Sequence, residues 1–376
     1  MTGGTAVPAL TITGYAALSR VGDGPAPLPA AAGVPMPRGD AATAALYPQQ
    51  LPAGHATAFA GFDVRGYLGR KGTSFYDRAT ALAVVACGQA LRDAAVLVDQ
   101  DTRGRVGVVL GTTLGSFKST SDYSRETLVQ ERPYLVNPVL FPNTVMNCAA
   151  GQAAIRLGLR GINATITGGP LAFLNAVRYA VNAIGQGYVD TMLVGAVEEF
   201  TPHRAWAAHL LGGGTAAAPA GEGAAVFVVR AAGSTEDNGQ STVDGPGGTG
   251  PLAEILAVAT GYGPRGRAGE ALERCVRRAV RAAGARPEQL ALLATGEPAG
   301  TPAPPGVDAE PRDPGVAPEG PESGPVARAL GRLPERLAVV GALGDCGAAT
   351  GALALATVLA RYGQRPAGTG GELCLL

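Results

Sequence analysis

An α/β fold made of two duplicated halves is the class this sequence predicts, on three observations. Valine-rich runs such as "RVGVVLGT" (105–112) and "GEGAAVFVVRA" (221–231) alternate with segments of helical period, the pattern of a sheet covered by helices. The order strand, helix, strand, glycine turn, helix, strand occurs twice, on either side of a polar break. At 376 residues the chain is long for one compact core and suits two fused ones. The halves are then 1–231 and 251–376, with the Gly-rich stretch 232–250 as linker.

Each element has its own warrant. "ALTITGYA" (9–16) reads as the opening strand, followed by a Pro/Ala/Gly-rich stretch to about residue 57. A helix is predicted over 77–98, with Asp77 as N-cap and apolar residues at helical spacing. The strand 105–112, a polar helical segment near 116–132 and "NPVLFPNTVMNCAAGQAAIRLGLRG" (137–161) come next. "NATIT" (163–167) suits a strand, Gly168 and Gly169 a tight turn, and Pro170 the first position of a helix. Leu171, Leu174, Val177, Val181 and Ile184 give that helix one apolar stripe. Strands at 188–200 and 221–231 complete the first half. In the second, 251–263 matches the opening strand, 269–284 and 288–296 match the first helix and strand, and 343–363 with 371–376 match the glycine-turn helix and its strand. Residues 297–325 are too rich in Pro and Gly to pack and read as a flexible surface loop.

Composition narrows the function. The formal net charge is zero and charged residues make up 16% of the chain, so no basic field exists to attract nucleic acid. Nowhere do 18 apolar residues run together, and the N-terminus lacks a signal-peptide pattern. A cytoplasmic protein without membrane partners is expected. Cys87, Cys148, Cys275, Cys346 and Cys374 lie far apart, without a CxxC pair or a Cys/His cluster. Reduced thiols, no metal and no cofactor are expected. "GTTLG" (111–115) lacks the spacing and lysine of a phosphate loop. Glu198 and Glu199 end a strand and read as solvated or loop-bound rather than as a general acid/base pair, and His203 and His209, near Trp206, read as structural.

The turn at 168–170 is the kind that presents a nucleophile at a helix N-terminus, where the positive dipole end activates a thiol. Here it presents a proline. "GFDVRGYLGRKGTSFYDRATALAVVACGQAL", "RVGVVLGTTLG", "FPNTVMNCAAGQAAIRLGLRGINATIT", "GEGAAVFVVRA" and "GDCGAATGALAL" occur in one order along the chain. In that order they resemble the β-ketoacyl synthase family. The resemblance implies a thiolase-like, five-layered αβαβα fold whose halves share buried helices. It also implies a reaction needing a cysteine that takes an acyl chain from a carrier protein and two histidines that assist decarboxylation. Carried onto this sequence, the nucleophile falls on Pro170, or on Gly169 when anchored on the preceding strand, the first histidine at or beside Gly296, the second on Asp345, and a lysine on Val340. None of these can do that chemistry. Cys148 and Cys346 read as packed residues, and Asp345 as a helix cap.

Such a degenerate chain resembles the chain-length factor, or KSβ subunit, of type II polyketide systems. That subunit pairs with an active ketosynthase (KSα), receives chains borne on acyl carrier protein, and helps shape the elongation tunnel. Pro170 departs from the glutamine common in factors of aromatic systems, leaving the polyene-making type as the better match. The resemblance places Ile162, Asn163, Ala164, Thr165, Ile166 and Thr167 at the dimer interface, strand against strand. A charge at Thr165 is therefore expected to split the pair. It places Val139, Leu140 and Phe141 at an apolar tip reaching the partner's pocket, the alternative being that they fill their own core. The alternative functions are a ketosynthase-like acyltransferase or dehydratase using other residues, and a homodimeric acyl-binding pseudoenzyme.

Overall fold

The computed structural model describes residues 9–32, 41–52, 56–211, 218–233, 251–264, 266–297, 321–363 and 372–376. Most of the linker 232–250 and of the loop 297–325 lies outside these residues.

A seven-stranded sheet carries the first half. Its strands are β1 (Leu10–Ser19), β2 (Gly22–Asp23), β3 (Val106–Thr112), β4 (Asn163–Thr167), β5 (Thr191–Glu198), β6 (Gly223–Ala231) and β7 (Ala253–Ile255). The spatial order is β2–β1–β6–β5–β3–β4, with β7 also beside β1. Strand β3 is parallel to both β4 and β5, whereas β6 is antiparallel to β5 and β1. Every residue of β3 and β5 is buried, which is why these two read as unbroken apolar runs rather than alternating ones.

Eight principal helices flank the sheets: α1 (Arg78–Asp93), α2 (Phe117–Val129), α3 (Cys148–Leu157), α4 (Ala172–Gly185), α5 (Pro202–Leu211), α6 (Ala268–Ala282), α7 (Ser323–Leu330) and α8 (Ala349–Gly363). The Asp77 carboxylate accepts from the Thr80 N–H at 2.6 Å and caps α1 as expected. A second sheet of three parallel strands runs β9–β8–β10, with β8 at Leu290–Thr295, β9 at Glu335–Ala338 and β10 at Leu373–Leu375. Helices α1 and α3 cover the outer face of the first sheet. Helices α4 and α8 lie between the sheets, and α6 and α7 cover the outer face of the second. The five layers are thus helix, sheet, helix, sheet, helix.

Two elements depart from the sequence reading. The segment 251–263 was expected to open the second sheet. Instead its strand β7 pairs with Leu10, Thr11 and Ile12 of β1 in the first sheet. Strand β2 covers only the far end of β1's outer edge, leaving the near end for β7. The stripe expected on α4 holds at Val177, Val181 and Ile184, which are buried, with Leu174 packed against the core, and fails only at Leu171. Leu171 is 61% exposed, and the buried residues are Ala172, Phe173, Ala176, Val177, Ala180, Val181, Ala183 and Ile184. A helix between two sheets is buried on more than one face, and alanines let its neighbours approach. Phe173 packs its ring 5.6 Å from that of Phe227, and lies against Gly351 of α8.

Among the described residues, no helix is long and apolar enough to cross a membrane, and no cluster of three metal-ligating side chains occurs.

Candidate functional site

Strand β4 ends at Thr167 and the chain turns through Gly168 and Gly169. The φ of Gly169 is +60°, which a glycine adopts without strain. Pro170 stands in a short 3-10 turn, Gly169–Leu171, and α4 begins at Ala172. The α-helix therefore starts two residues later than the sequence suggests, and Pro170 precedes it at the exposed surface. This turn packs against α8.

The other three matched positions gather around the start of the second half's buried helix. Gly296 follows β8, and its N–H donates to Glu322 Oε2 at 2.9 Å. A side chain at Gly296 would touch the Glu322 carboxyl and approach Thr350 in the first turn of α8. Sequence reasoning missed Glu322, because it lies within the Pro- and Gly-rich stretch 297–325, which read as a flexible surface loop, whereas its carboxylate is held at Gly296. Burial pushes its carboxyl above the usual range, against the Gly296 hydrogen bond, and neighbouring Glu297 adds to the effect. Asp345 Oδ1 accepts from Gly347 N at 2.8 Å, a capping role ahead of α8. Val340 is buried.

The backbone around Asp345 is firmly held. Its N–H donates to Pro219 O at 2.7 Å, and its carbonyl accepts from Gly221 N at 2.8 Å and from Arg204 Nη2 at 2.7 Å. Arg204 also reaches the carbonyls of Gly221 and Glu199. Glu198 accepts from Thr113 N at 3.1 Å and from Ala348 N at 3.2 Å. The space this leaves explains Gly347: its φ is +51°, and a Cβ there would sit 2.7 Å from Glu198 Oε2.

Glu198 and Glu199 are thus not solvated as expected; both are almost wholly buried. Burial raises the Glu198 carboxyl, while Arg204 and the donors at Thr113 and Ala348 pull it back. Glu199 is pushed up to about 8 by burial, with Asp77 adding to the rise and the Ser116 hydroxyl opposing it. Glu222, also buried, pairs with Arg78 through Nε–Oε2 at 2.5 Å and Nη2–Oε1 at 2.8 Å. No local pattern announces these carboxyls, since their partners come from segments distant in the chain.

Asp77, Arg78 and Glu199 border an open groove of about 970 Å³. Lys118, Ser119 and Asp122 of α2, the rings of Tyr47 and Phe62, and Val139 and Leu140 complete much of its wall. The segment Pro138–Thr144 is a 3-10 helix capped by the Asn137 side chain, which accepts from Val139 N at 3.0 Å. Val139 and Phe141 are 60% and 55% exposed, so neither fills its own core. The Phe141 ring lies 5.9 Å from Tyr123 of α2.

Strand β4 is an edge. Val108 N donates to Ile162 O at 2.8 Å and Val108 stands opposite Asn163. In a parallel ladder this turns the backbone groups of Ile162, Ala164 and Ile166 toward β3. Those of Asn163, Thr165 and Thr167 face outward, unpaired within the first sheet. Ala164 and Ile166 pack into the core between the sheets, while Asn163 Nδ2 donates to Ala150 O at 3.0 Å. The Thr165 hydroxyl is buried beside Thr80 and Cys148 and makes no hydrogen bond. A charge at Thr165, expected to test pairing, would therefore enter the molecule and damage the subunit itself.

The cysteines show no disulfide. Cys148 begins α3 with its Sγ 3.4 Å from Asn143 Oδ1, and burial raises its thiol. Burial also raises Cys346 and pushes Cys87 up to about 12, the opposite of what a nucleophile needs. His203 and His209 lie on α5, beside Phe117 and Trp206. His55 lies outside the described residues.

The model of the β-ketoacyl synthase N-terminal domain matches residues 37–235. The chain is 30% identical over 139 residues to a 3-oxoacyl-[acyl-carrier-protein] synthase 2 of Vibrio cholerae, covering 37% of this chain and 33% of that one. It is 27% identical over 252 residues to the synthase 2 of Staphylococcus aureus, covering 62% and 60%. The matched stretches thus span from a third to three-fifths of these relatives. Among solved structures, one described as the ishigamide ketosynthase/chain length factor superposes with a TM-score of 0.75 at 32% identity, over 97% of this chain and 94% of that one. A β-ketoacyl synthase from Burkholderia phymatum gives 0.72 at 19% identity, over 94% and 85%. A type II PKS acyl-carrier protein in complex with its ketosynthase gives 0.66 at 16%, over 95% and 93%. These last two bear on the fold alone. With more than half its length matched by the family model and nearly all of it by a structural relative at 32% identity, the chain belongs to the β-ketoacyl synthase family.

Proposed function

We propose that this chain is a non-catalytic chain-length-factor subunit. It pairs with an active β-ketoacyl synthase in the cytoplasm and shapes the tunnel in which a type II polyketide, of the polyene-making class, grows. One observation carries the reading. The turn that should seat the nucleophile is kept, yet it presents Pro170, while Gly296, Asp345 and Val340 stand where two imidazoles and an ammonium are expected. Proline has no nucleophilic atom. The likeness to a ketosynthase/chain length factor adds weight.

The remaining features suit a partner subunit. The open edge of β4, with Ile162 leading into it, is uncharged and pairs with its counterpart strand. Val139, Leu140 and Phe141 project toward the partner's acyl pocket, Val139 and Phe141 being exposed and Leu140 half-buried in the groove wall. The two halves, 1–231 and 251–376, form one body that delivers no chemistry of its own.

Co-expression with an intact Cys-His-His ketosynthase tests this. A one-to-one complex that elongates carrier-bound malonyl units is expected, while this chain alone neither takes up an acyl group nor turns over. Stable acylation of the isolated chain followed by elongation would overturn the proposal, as would failure of the complex to form.

A further inference from the structure

Two buried hydroxyls face one small cavity on the α1 and α3 side of the first sheet. The cavity lies between the first turn of α1, the start of α3 and strands β3 and β4, and about 10 Å³ of it is open to a water-sized sphere. Thr80 of α1 is 1% exposed, and its hydroxyl makes no hydrogen bond. The buried hydroxyl of Thr165, on β4, is equally without a partner. Both residues line the cavity, together with Thr112, Cys148 and Asp77.

Neither hydroxyl is served by its neighbours. A threonine in a helix ordinarily bonds a carbonyl three or four residues back, and Thr80 does not. The other polar groups already have partners. The Cys148 thiol donates to Asn143 Oδ1 at 3.4 Å, Thr112 Oγ1 accepts from Gly115 N at 3.1 Å, and Asp77 Oδ1 accepts from Thr80 N at 2.6 Å. A buried hydroxyl left unbonded is costlier than the methyl of valine, which has the same shape. Two such hydroxyls at one cavity call for a shared partner.

We infer that this cavity is the site of one tightly held water molecule, which ties β4 to α1. The size suits a single water, which needs about 10–15 Å³ on this measure and two to four polar partners. Thr80 and Thr165 supply two partners, each able to give or to accept a proton. The sulfur of Cys148 and the remaining lone pair of Thr112 Oγ1 are acceptors for the water's own protons. No organic ligand fits so small a volume. The site matters to β4, which has a sheet neighbour on one side only among the described residues. Thr165 stands at the middle of that strand. Its backbone faces outward, while its side chain is anchored inward through the water.

The isolated full-length chain tests this without any partner subunit. Oxygen-17 relaxation dispersion counts long-lived internal waters in wild type, T80V, T80V/T165V and T165S. Both valine variants should lose one, and T165S, which keeps the hydroxyl, should retain it. Urea unfolding gives a second readout. T80V and T165V should each raise the unfolding equilibrium constant roughly fivefold, the factor of one lost hydrogen bond. The double variant should be no less stable than either single one, since removing either hydroxyl releases the same water. An unchanged count of waters in T80V/T165V would overturn the inference, as would additive effects on unfolding. If the double variant does not fold, the count in T80V alone decides. A crystal structure with the two hydroxyls bonded to each other and no water between them would equally overturn it.

Discussion

Glu199 holds a proton that an exposed glutamate would release. Its folded pKa of about 8 stands well above the roughly 4.3 of a free glutamate. The folded state therefore binds more protons than the unfolded chain between those values. The stability this group contributes is complete at low pH, declines as pH rises, and is gone once the folded carboxyl ionises near pH 8. Glu199→Gln keeps the shape and removes the titration. In urea unfolding across this range, the variant should gain on wild type as pH rises, with the largest difference near pH 8. A difference that does not change with pH would refute the assignment. Arg204 ties Asp345 O and Gly221 O together, and its charge acts on the nearby Glu198 carboxyl. Arg204→Met should cost about 2 kcal/mol, because it leaves backbone carbonyls without their charged donor; urea titration at neutral pH reads this directly.

Strand β4 offers a cleaner test of pairing than a charge does. The Thr165 N–H points outward, and its hydroxyl bonds to no other residue. Proline is tolerated where a strand's N–H faces away from the ladder. Thr165→Pro should leave unfolding of the isolated chain within about 1 kcal/mol of wild type yet weaken heterodimer formation in gel filtration. Phe141→Ala should alter product length while leaving acylation of the partner's cysteine intact, which product analysis and mass spectrometry check together. Most elements could be read from the sequence because their signals are local: Asp77 before α1, the valine run of β3, the paired glycines after β4. The glutamates at 198 and 199 were misread for the opposite reason. A carboxylate closing a strand looks solvated until Thr113, Ser116 and the residues before α8, remote in sequence, fold over it. Strand β7 was misplaced because pattern alone gives a strand's existence and not its neighbour. The positions of Pro170, Gly296, Asp345 and Val340 come from motif resemblance alone, whereas Glu322 beside Gly296 needed the fold.

At the scale of the molecule, the two sides of the first sheet differ in kind. The outer edge of β1 is occupied by β2 at one end and β7 at the other, with Asp93 Oδ2 accepting from Tyr15 N at 2.8 Å between them. The edge at β4 is open. A sheet with two long free edges can add units without limit, as fibrils do; here the β1 side ends in strands of two and three residues, which offer little to pair with, so β4 is the one longer edge. Joining two such sheets through β4 consumes both available ends, so growth stops at the first event. Light scattering at rising concentration should then level off at two subunits, whether the second is the same chain or a ketosynthase. A mass that keeps climbing would mean that the β1 edge opens. The strand that the second half lends to the first is, in this light, a stopper: it confines an aggregation-prone surface to a single use.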